Sequence, residues 1–234
     1  MTWSIVARDV DGSFGVAVAS RFFAVGALCP HVRSGVGALS TQALVNPLYA
    51  VPALDALTAG RAPADVVRAL TDADPGRDHR QLHLIDAHGR VAAHTGAACI
   101  DWCGHLSGDG FSIAGNMLAG AAVLDATAAA YREAQARPFA ERLIAALAAG
   151  DAAGGDKRGK QAAALLICTT EDYPALDLRV DDHREPIAEL ERLRRVSIER
   201  YQPFVACLPR RGDAAGIVDR TVIEARIAAF RTGS

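Results

Sequence analysis

The chain opens on an alternation of period two. Over residues 2–8, Trp3 and Ile5 fall on one face and Thr2, Ser4 and Val6 on the other, which predicts a strand. Asp11-Gly12 is a two-residue hairpin signal. Residues 13–20 return as a near-continuous run of small apolar residues, the mark of a strand buried on both faces. A third strand is predicted over 32–41, where Gly35 and Gly37 permit close backbone approach. The period then lengthens. A helix is predicted near 47–59, ending at Gly60, and a second from Pro63 to about 73. Strands at 80–86 and 90–95 bracket the turn Asp86-Ala87-His88-Gly89, and a glycine-rich stretch, 104–110, leads to a strand at 111–115. Residues 117–149 are alanine-rich and helical in period, divided by Pro138. After a loop at 149–156, strands are predicted at 161–168 and 175–180. A charged amphipathic helix follows at 186–200, with Ile187, Leu190 and Leu193 on its apolar side. An irregular segment and a helix at 217–231 complete the chain.

Blocks of strands followed by blocks of helices predict an α+β fold rather than an alternating parallel sheet. Two sheets sandwiched between helical layers would explain strands that are apolar on both faces. Half of the 234 residues are hydrophobic and 22% are charged, enough for the core of a single domain over 1–234, with residues from about 201 to 234 as a C-terminal helical extension. Only 6% are aromatic, so small aliphatic side chains must fill that core. A net charge of −2 provides no field for nucleic acid or anionic membranes, and no run approaches the roughly 18 apolar residues of a membrane span. The opening nine residues lack a signal peptide's basic and long apolar regions, and five irregularly spaced cysteines read as reduced thiols. The expectation is a cytoplasmic protein acting on a small molecule, with no cofactor, nucleic acid or membrane as partner. The small apolar residues and the charged helix are compatible with a homo-oligomer.

Thr2 carries the sharpest chemistry. A small second residue generally permits removal of the initiator Met1, which would make Thr2 the amino terminus. Its α-amine, with an unperturbed pKa of about 7.7–8.0, can then take the proton of its own hydroxyl, so one residue is both nucleophile and base. A threonine after methionine is also common with no role at all. The rival is a His/Cys-rich stretch: His79, His83, His88, His94, Cys99, Cys103 and His105. Its spacing, Cys99-x3-Cys103-x-His105, lacks the second paired half of a structural zinc site, so no metal ligands are assigned. Gly35-x-Gly37 matches neither the dinucleotide nor the phosphate-loop pattern. Arg192, Arg194, Arg195 and Arg200 alternate with Glu189, Glu191 and Glu199, as on a solvated or interfacial helix face.

Several blocks resemble one bacterial family. They are Thr2-Trp3-Ser4-Ile5-Val6-Ala7-Arg8-Asp9, Gly15-Val16-Ala17-Val18-Ala19-Ser20-Arg21, Thr41-Gln42-Ala43-Leu44-Val45-Asn46-Pro47 and Asp74-Pro75-Gly76-Arg77-Asp78 with Arg80-Gln81. Cys99-Ile100-Asp101-Trp102, Gly115-Asn116-Met117-Leu118, Gly154-Gly155-Asp156-Lys157-Arg158-Gly159 and the segment Asp177 to His183 complete the set. Together they resemble the Ntn-hydrolase-like domain-of-unknown-function family 1028, over nearly the whole chain. The resemblance implies the four-layer αββα sandwich of N-terminal-nucleophile (Ntn) hydrolases. Ala162 stands where that family often has serine, and His83 and His94 occupy strand positions expected to be apolar or glycine.

Acyl transfer defines the supporting roles. Asn116 is the candidate oxyanion donor, or else a cap on the following helix. Arg21 would clamp a substrate carboxylate, or else pair with Asp9 or Asp182. Asp156 and Arg158 lie in a glycine-rich loop suited to binding, or form a solvated turn. Gln42 and Asn46 line the same pocket or satisfy buried backbone groups. The leading expectation is hydrolysis of an amide or related C–N bond in a small carboxylate-bearing molecule. The alternatives are a non-catalytic ligand-binding protein of the same fold and a zinc-dependent hydrolase.

Overall fold

Strand β1 (Thr2–Arg8) lies inside a six-stranded antiparallel sheet, paired with β2 (Phe14–Ser20) on one side and β8 (Phe111–Asn116) on the other. Beyond β2 come β9 (Ala162–Cys168) and β10 (Leu176–Val180), and β7 (Gly104–Gly108) forms the edge beyond β8. A second antiparallel sheet contains β3 (Pro30–Arg33), β4 (Gly37–Ala43), β5 (Arg80–Asp86) and β6 (Val91–Thr95), in that order. This computed structural model describes residues 2–232. Met1, whose removal the threonine chemistry needs, lies outside the described residues.

The period-two pattern of β1 separates two environments. Trp3, Ile5 and Ala7 face a core shared with α3 (Ala122–Glu133), α4 (Phe139–Ala152) and α5 (Pro186–Glu199). Val6 faces the other way and meets Phe14, Val16, Ala38 and Ile85, so the two sheets pack against each other. On the far side of the smaller sheet, Leu39, Leu82 and Leu84 pack under α1 (Ala50–Thr58) and α2 (Pro63–Asp72) through Leu54, Leu57 and Val66. The protein is therefore a mixed α+β fold with two antiparallel sheets and helices. Residues after α5 add α6 (Tyr201–Val205) and α7 (Arg220–Thr232), with Ile227 buried. Among the described residues no helix is long and apolar enough to cross a membrane.

The third predicted strand, 32–41, is corrected to two. Gly35 adopts φ +71°, a left-handed conformation that breaks the run and folds β3 back onto β4. Gly37 does serve close approach: a Cβ there would sit 2.4 Å from the Ile85 carbonyl oxygen across the sheet. Gly37→Ala is expected to cost about 1–3 kcal/mol of stability, because backbone rather than a flexible side chain must yield. Urea unfolding of the variant measures it. The Asp11-Gly12 hairpin is wider than two residues, since residues 9–13 form the link and Asp9 N–H donates to the Ser13 carbonyl. The glycine-rich lead-in is itself strand β7. As an edge strand it tolerates glycine, and a Cβ at Gly108 would strike the Phe111 ring. The helix predicted from 117 begins only at Ala122.

Candidate active site

Thr2 begins β1 opposite Ser20 of β2 and Asn116 of β8. The register thus gathers three polar side chains, none of them near another in sequence, at one end of the larger sheet. Thr2 Oγ1 lies 3.0 Å from Ser20 Oγ, and Thr2 is only 5% exposed. The Thr2 carbonyl accepts long hydrogen bonds from Gln42 Nε2 and Asn116 Nδ2, each at 3.5 Å. Gln42 belongs to β4, so the first peptide of β1 is held from both sheets.

Gln81 of β5 orients this cluster. Its Nε2 lies 3.0 Å from the Gly104 carbonyl and 2.9 Å from the Gly115 carbonyl. Carbonyls only accept, so this end of the amide must be the NH2 group. The opposite end, Oε1, accepts from Gln42 Nε2 at 2.7 Å and Asn116 Nδ2 at 3.1 Å. Gln42 therefore turns its own Oε1 toward hydroxyls, accepting from Ser4 at 2.7 Å and Ser40 at 3.3 Å. Ser4 has committed its proton to Gln42, so it accepts from His83 Nε2, 2.8 Å away. His83 Nδ1 is then the acceptor for Ser112 Oγ at 3.2 Å. Complete burial, with the nearby His105 adding to it, pushes the His83 pKa down to about 3. The imidazole is neutral and its tautomer is set by its partners.

The other expected site residues are dispersed around this cluster. Gln42 and Asn116 sit within it. Asn116 caps no helix, since α3 starts from Ala121 without a side-chain cap. Asp156 is 5% exposed and accepts from the Arg21 N–H at 3.0 Å and the Arg158 N–H at 2.7 Å. Its carboxylate joins the end of β2 to the glycine-rich loop and is buried, whereas Lys157, Arg158 and Gly159 stay exposed. Arg158 is exposed and reaches back to Asp156 and to the Arg21 carbonyl. Arg21 is exposed too, and its guanidinium donates to the Arg158 carbonyl. The alternative ion pairs of Arg21 are corrected. Asp9 binds Arg142 at 2.6 Å, and Asp182 accepts from Gln161. Asn46 joins a separate cluster around Asp74, which also accepts from Tyr49 Oη at 2.6 Å and Arg80 Nε at 3.0 Å. The Tyr49 hydrogen bond, with the Gly76 N–H and Arg80, holds the Asp74 carboxyl well below its usual range.

Beside Asn116 a cleft of roughly 200 Å³ opens between the ends of β4 and β8, lined also by Ala43, Leu44, Ile100 and Met117. Ala43 has φ +69° and Met117 φ +54°. Each such conformation costs a non-glycine residue about 1–3 kcal/mol and persists only where the surroundings impose it; such residues cluster at functional sites. Cys99 and His79 lie on the same cleft. Burial raises the Cys99 and Cys103 thiols, which disfavours thiolate chemistry. The His/Cys stretch is pulled apart by the fold: His83 lies between the sheets, His94 meets the Arg77 carbonyl and His105 meets Thr95. Among the described residues no three His, Cys, Asp or Glu side chains are grouped as metal ligands.

A family model described as "Family of unknown function (DUF1028)" matches residues 2–190. The chain belongs to this family. Within DUF1028, the crystal structure of a protein from Silicibacter pomeroyi is similar over 93% of this chain and 99% of its own, at 32% identity and a TM-score of 0.85. A remote similarity to Anbu, an ancestral β-subunit from Yersinia bercovieri, covers 89% of this chain and 98% of that one at 14% identity and a TM-score of 0.37. No curated protein matches the sequence. In this DUF1028 chain, Ser4, Ser20, Gln81, His83 and Ser112 complete the cluster without having been singled out as site residues. The available signal was their period: polar residues at the sheet-facing positions of otherwise apolar strands. His83 stands out in the sequence only as a member of the His/Cys-rich stretch and as an unexpected residue within a strand.

Proposed function

We propose that the protein is an Ntn-type amidohydrolase, its sheets and helices forming a four-layer αββα sandwich with Thr2 as the nucleophile. The packing supports the layering, with α1 and α2 on one sheet, the sheets on each other, and α3 to α5 on the far face. The observation that carries the function is the placement of Thr2. It begins a strand inside the larger sheet, with its hydroxyl on Ser20, its carbonyl within the amide cluster and its β8 partner Asn116 lining a cleft. After Met1 leaves, the Thr2 α-amine takes the hydroxyl proton as Oγ1 attacks the carbonyl carbon of an amide. The same proton goes to the departing nitrogen, and water then cleaves the Thr2 ester. Gln42 and Asn116 fix the Thr2 backbone. Asn116 is not assigned the oxyanion role, because its amide N–H groups are already directed at Gln81 and the Thr2 carbonyl. A substrate carboxylate is placed at Arg21, beside a depression bordered by Lys160, His183 and Arg184, with Asp156 and Arg158 holding that loop.

One observation favours a second reading, a non-catalytic ligand-binding protein of this fold: Thr2 is nearly fully buried and its hydroxyl is already engaged. Intact mass and N-terminal sequencing of protein from its native host separate the two. The hydrolase reading expects a chain beginning at Thr2 that acquires one covalent adduct from a β-lactone electrophile, mapped to Thr2. A chain that keeps Met1 throughout and takes no label would establish the second reading instead.

A further inference from the structure

The cleft at the ends of β4 and β8 has a polarity that the amide network imposes. The Gly104 and Gly115 carbonyls fix the Gln81 NH2 group, so Gln81 Oε1 draws in Asn116 Nδ2. The same nitrogen also reaches the Thr2 carbonyl. Turning the Asn116 amide over would set its oxygen against two other acceptors, Gln81 Oε1 and the Thr2 carbonyl, and is opposed by both. Asn116 Oδ1, by contrast, accepts no hydrogen bond among the described residues. Asn116 lines the cleft, and its one side-chain polar atom left uncommitted is therefore an acceptor.

The walls are otherwise mostly apolar: Ala43, Leu44, Ala98, Ile100 and Met117. Neither arginine nor lysine lines the cleft among the described residues, and its polar side chains besides Asn116 are His79 and Cys99, so an anion there would meet the acceptor oxygen with no permanent countercharge. Its volume, roughly 200 Å³, falls below the approximately 300–1,000 Å³ of drug-sized sites, which limits the occupant to a short chain.

We propose that this cleft binds a neutral, short aliphatic group carrying an N–H donor, such as a small primary or secondary amide. Asn116 Oδ1 accepts from the ligand nitrogen and the apolar walls cover the hydrocarbon. Gln81 is the positioning residue that keeps Asn116 in its accepting orientation. Binding itself is independent of Thr2 chemistry, whereas its assignment as the neutral end of the substrate rests on the hydrolase reading.

Isothermal titration of the full chain with isovaleramide and with isovalerate tests the site. The two share a branched hydrocarbon, but only the amide carries the donor. Isovaleramide is expected to bind about 10-fold or more tightly than the acid, since a site built around one hydrogen bond rejects the analogue lacking it. Ala98→Trp and Leu44→Trp, both at exposed wall positions, should each remove the isovaleramide signal. Gln81→Leu should reduce the amide preference while retaining some affinity for the hydrocarbon. Thr2→Ala should bind isovaleramide as the parent does, so that loss of hydrolysis and loss of this site are read separately. Equal or tighter binding of isovalerate, no saturable binding of isovaleramide, or binding untouched by both tryptophan variants would each overturn the proposal.

Discussion

Thr2→Ala is expected to abolish amide hydrolysis, lowering kcat by about 10³-fold or more, while leaving the fold nearly unchanged. The size of the loss follows from chemistry. Under the proposed mechanism the Thr2 hydroxyl forms the covalent bond to substrate, and alanine supplies no nucleophile at that position. The small structural effect follows from the contacts. The mutation removes one buried hydroxyl, whose hydrogen bond to Ser20 is worth about 0.5–1.5 kcal/mol net. In a chain of this length that corresponds to a few degrees of thermal midpoint at most, on the order of 2–4 °C per kcal/mol. Thr2→Ser keeps both nucleophile and amine and should retain measurable turnover. The measurement is hydrolysis of the panel amide that the wild-type protein cleaves fastest, with melting curves recorded in parallel. A Thr2→Ala rate within a few-fold of wild type would exclude Thr2 as the nucleophile. A collapse of the melting temperature together with activity would instead show a structural role.

Much of the architecture was legible because it is local. The alternation of Trp3, Ile5 and Val6 marks β1 and assigns its faces, and Pro138 divides α3 from α4 where the alanine-rich period is broken. Where the third strand was misjudged, a single backbone conformation intervened. Gly35 in a left-handed state turns one apparent strand into β3 and β4, although its neighbours carry a continuous strand pattern.

The site was legible only in part, for a different reason. Thr2, Gln42 and Asn116 could be named individually as reactive or polar residues in apolar surroundings. Their mutual contacts depend on three strand registers that bring residues 2, 20, 42, 81 and 116 together, and local pattern does not encode those registers. Asp156 illustrates the converse. A charge in a glycine-rich loop suggested exposure and binding, but the folded chain buries that carboxylate and satisfies it with backbone N–H groups. Gln81 was visible only as one residue of a family block. Its importance lies in facing two backbone carbonyls, which decides the orientation of every amide after it.

His83 gives the largest expected effect on stability. Its neutral form donates to Ser4 and accepts from Ser112 between the sheets, with no exposed surface and, among the described residues, no carboxylate against it. Its pKa is pushed down to about 3 in the folded chain, against about 6.5 when unfolded. Below about pH 6.5 the unfolded chain binds a proton that the folded chain refuses, so stability present above that pH is lost as the pH falls toward 3. The slope approaches about 1.4 kcal/mol per pH unit. Between pH 6.5 and 5 most carboxylates remain ionised in both states, and this window isolates histidine. His31 and His105 are also lowered by burial and add slopes of the same sign. The informative comparison is therefore the wild-type protein against His83→Gln, which leaves those two histidines in place. Glutamine can still donate toward Ser4 but does not titrate. Denaturant midpoints should fall steeply with acid in the wild-type protein and clearly less so in the variant, even if the variant is weaker at pH 7. Parallel acid limbs in the two proteins would mean that His83 gains its proton without unfolding the sheets, and the neutral, serine-bridged imidazole would have to be abandoned.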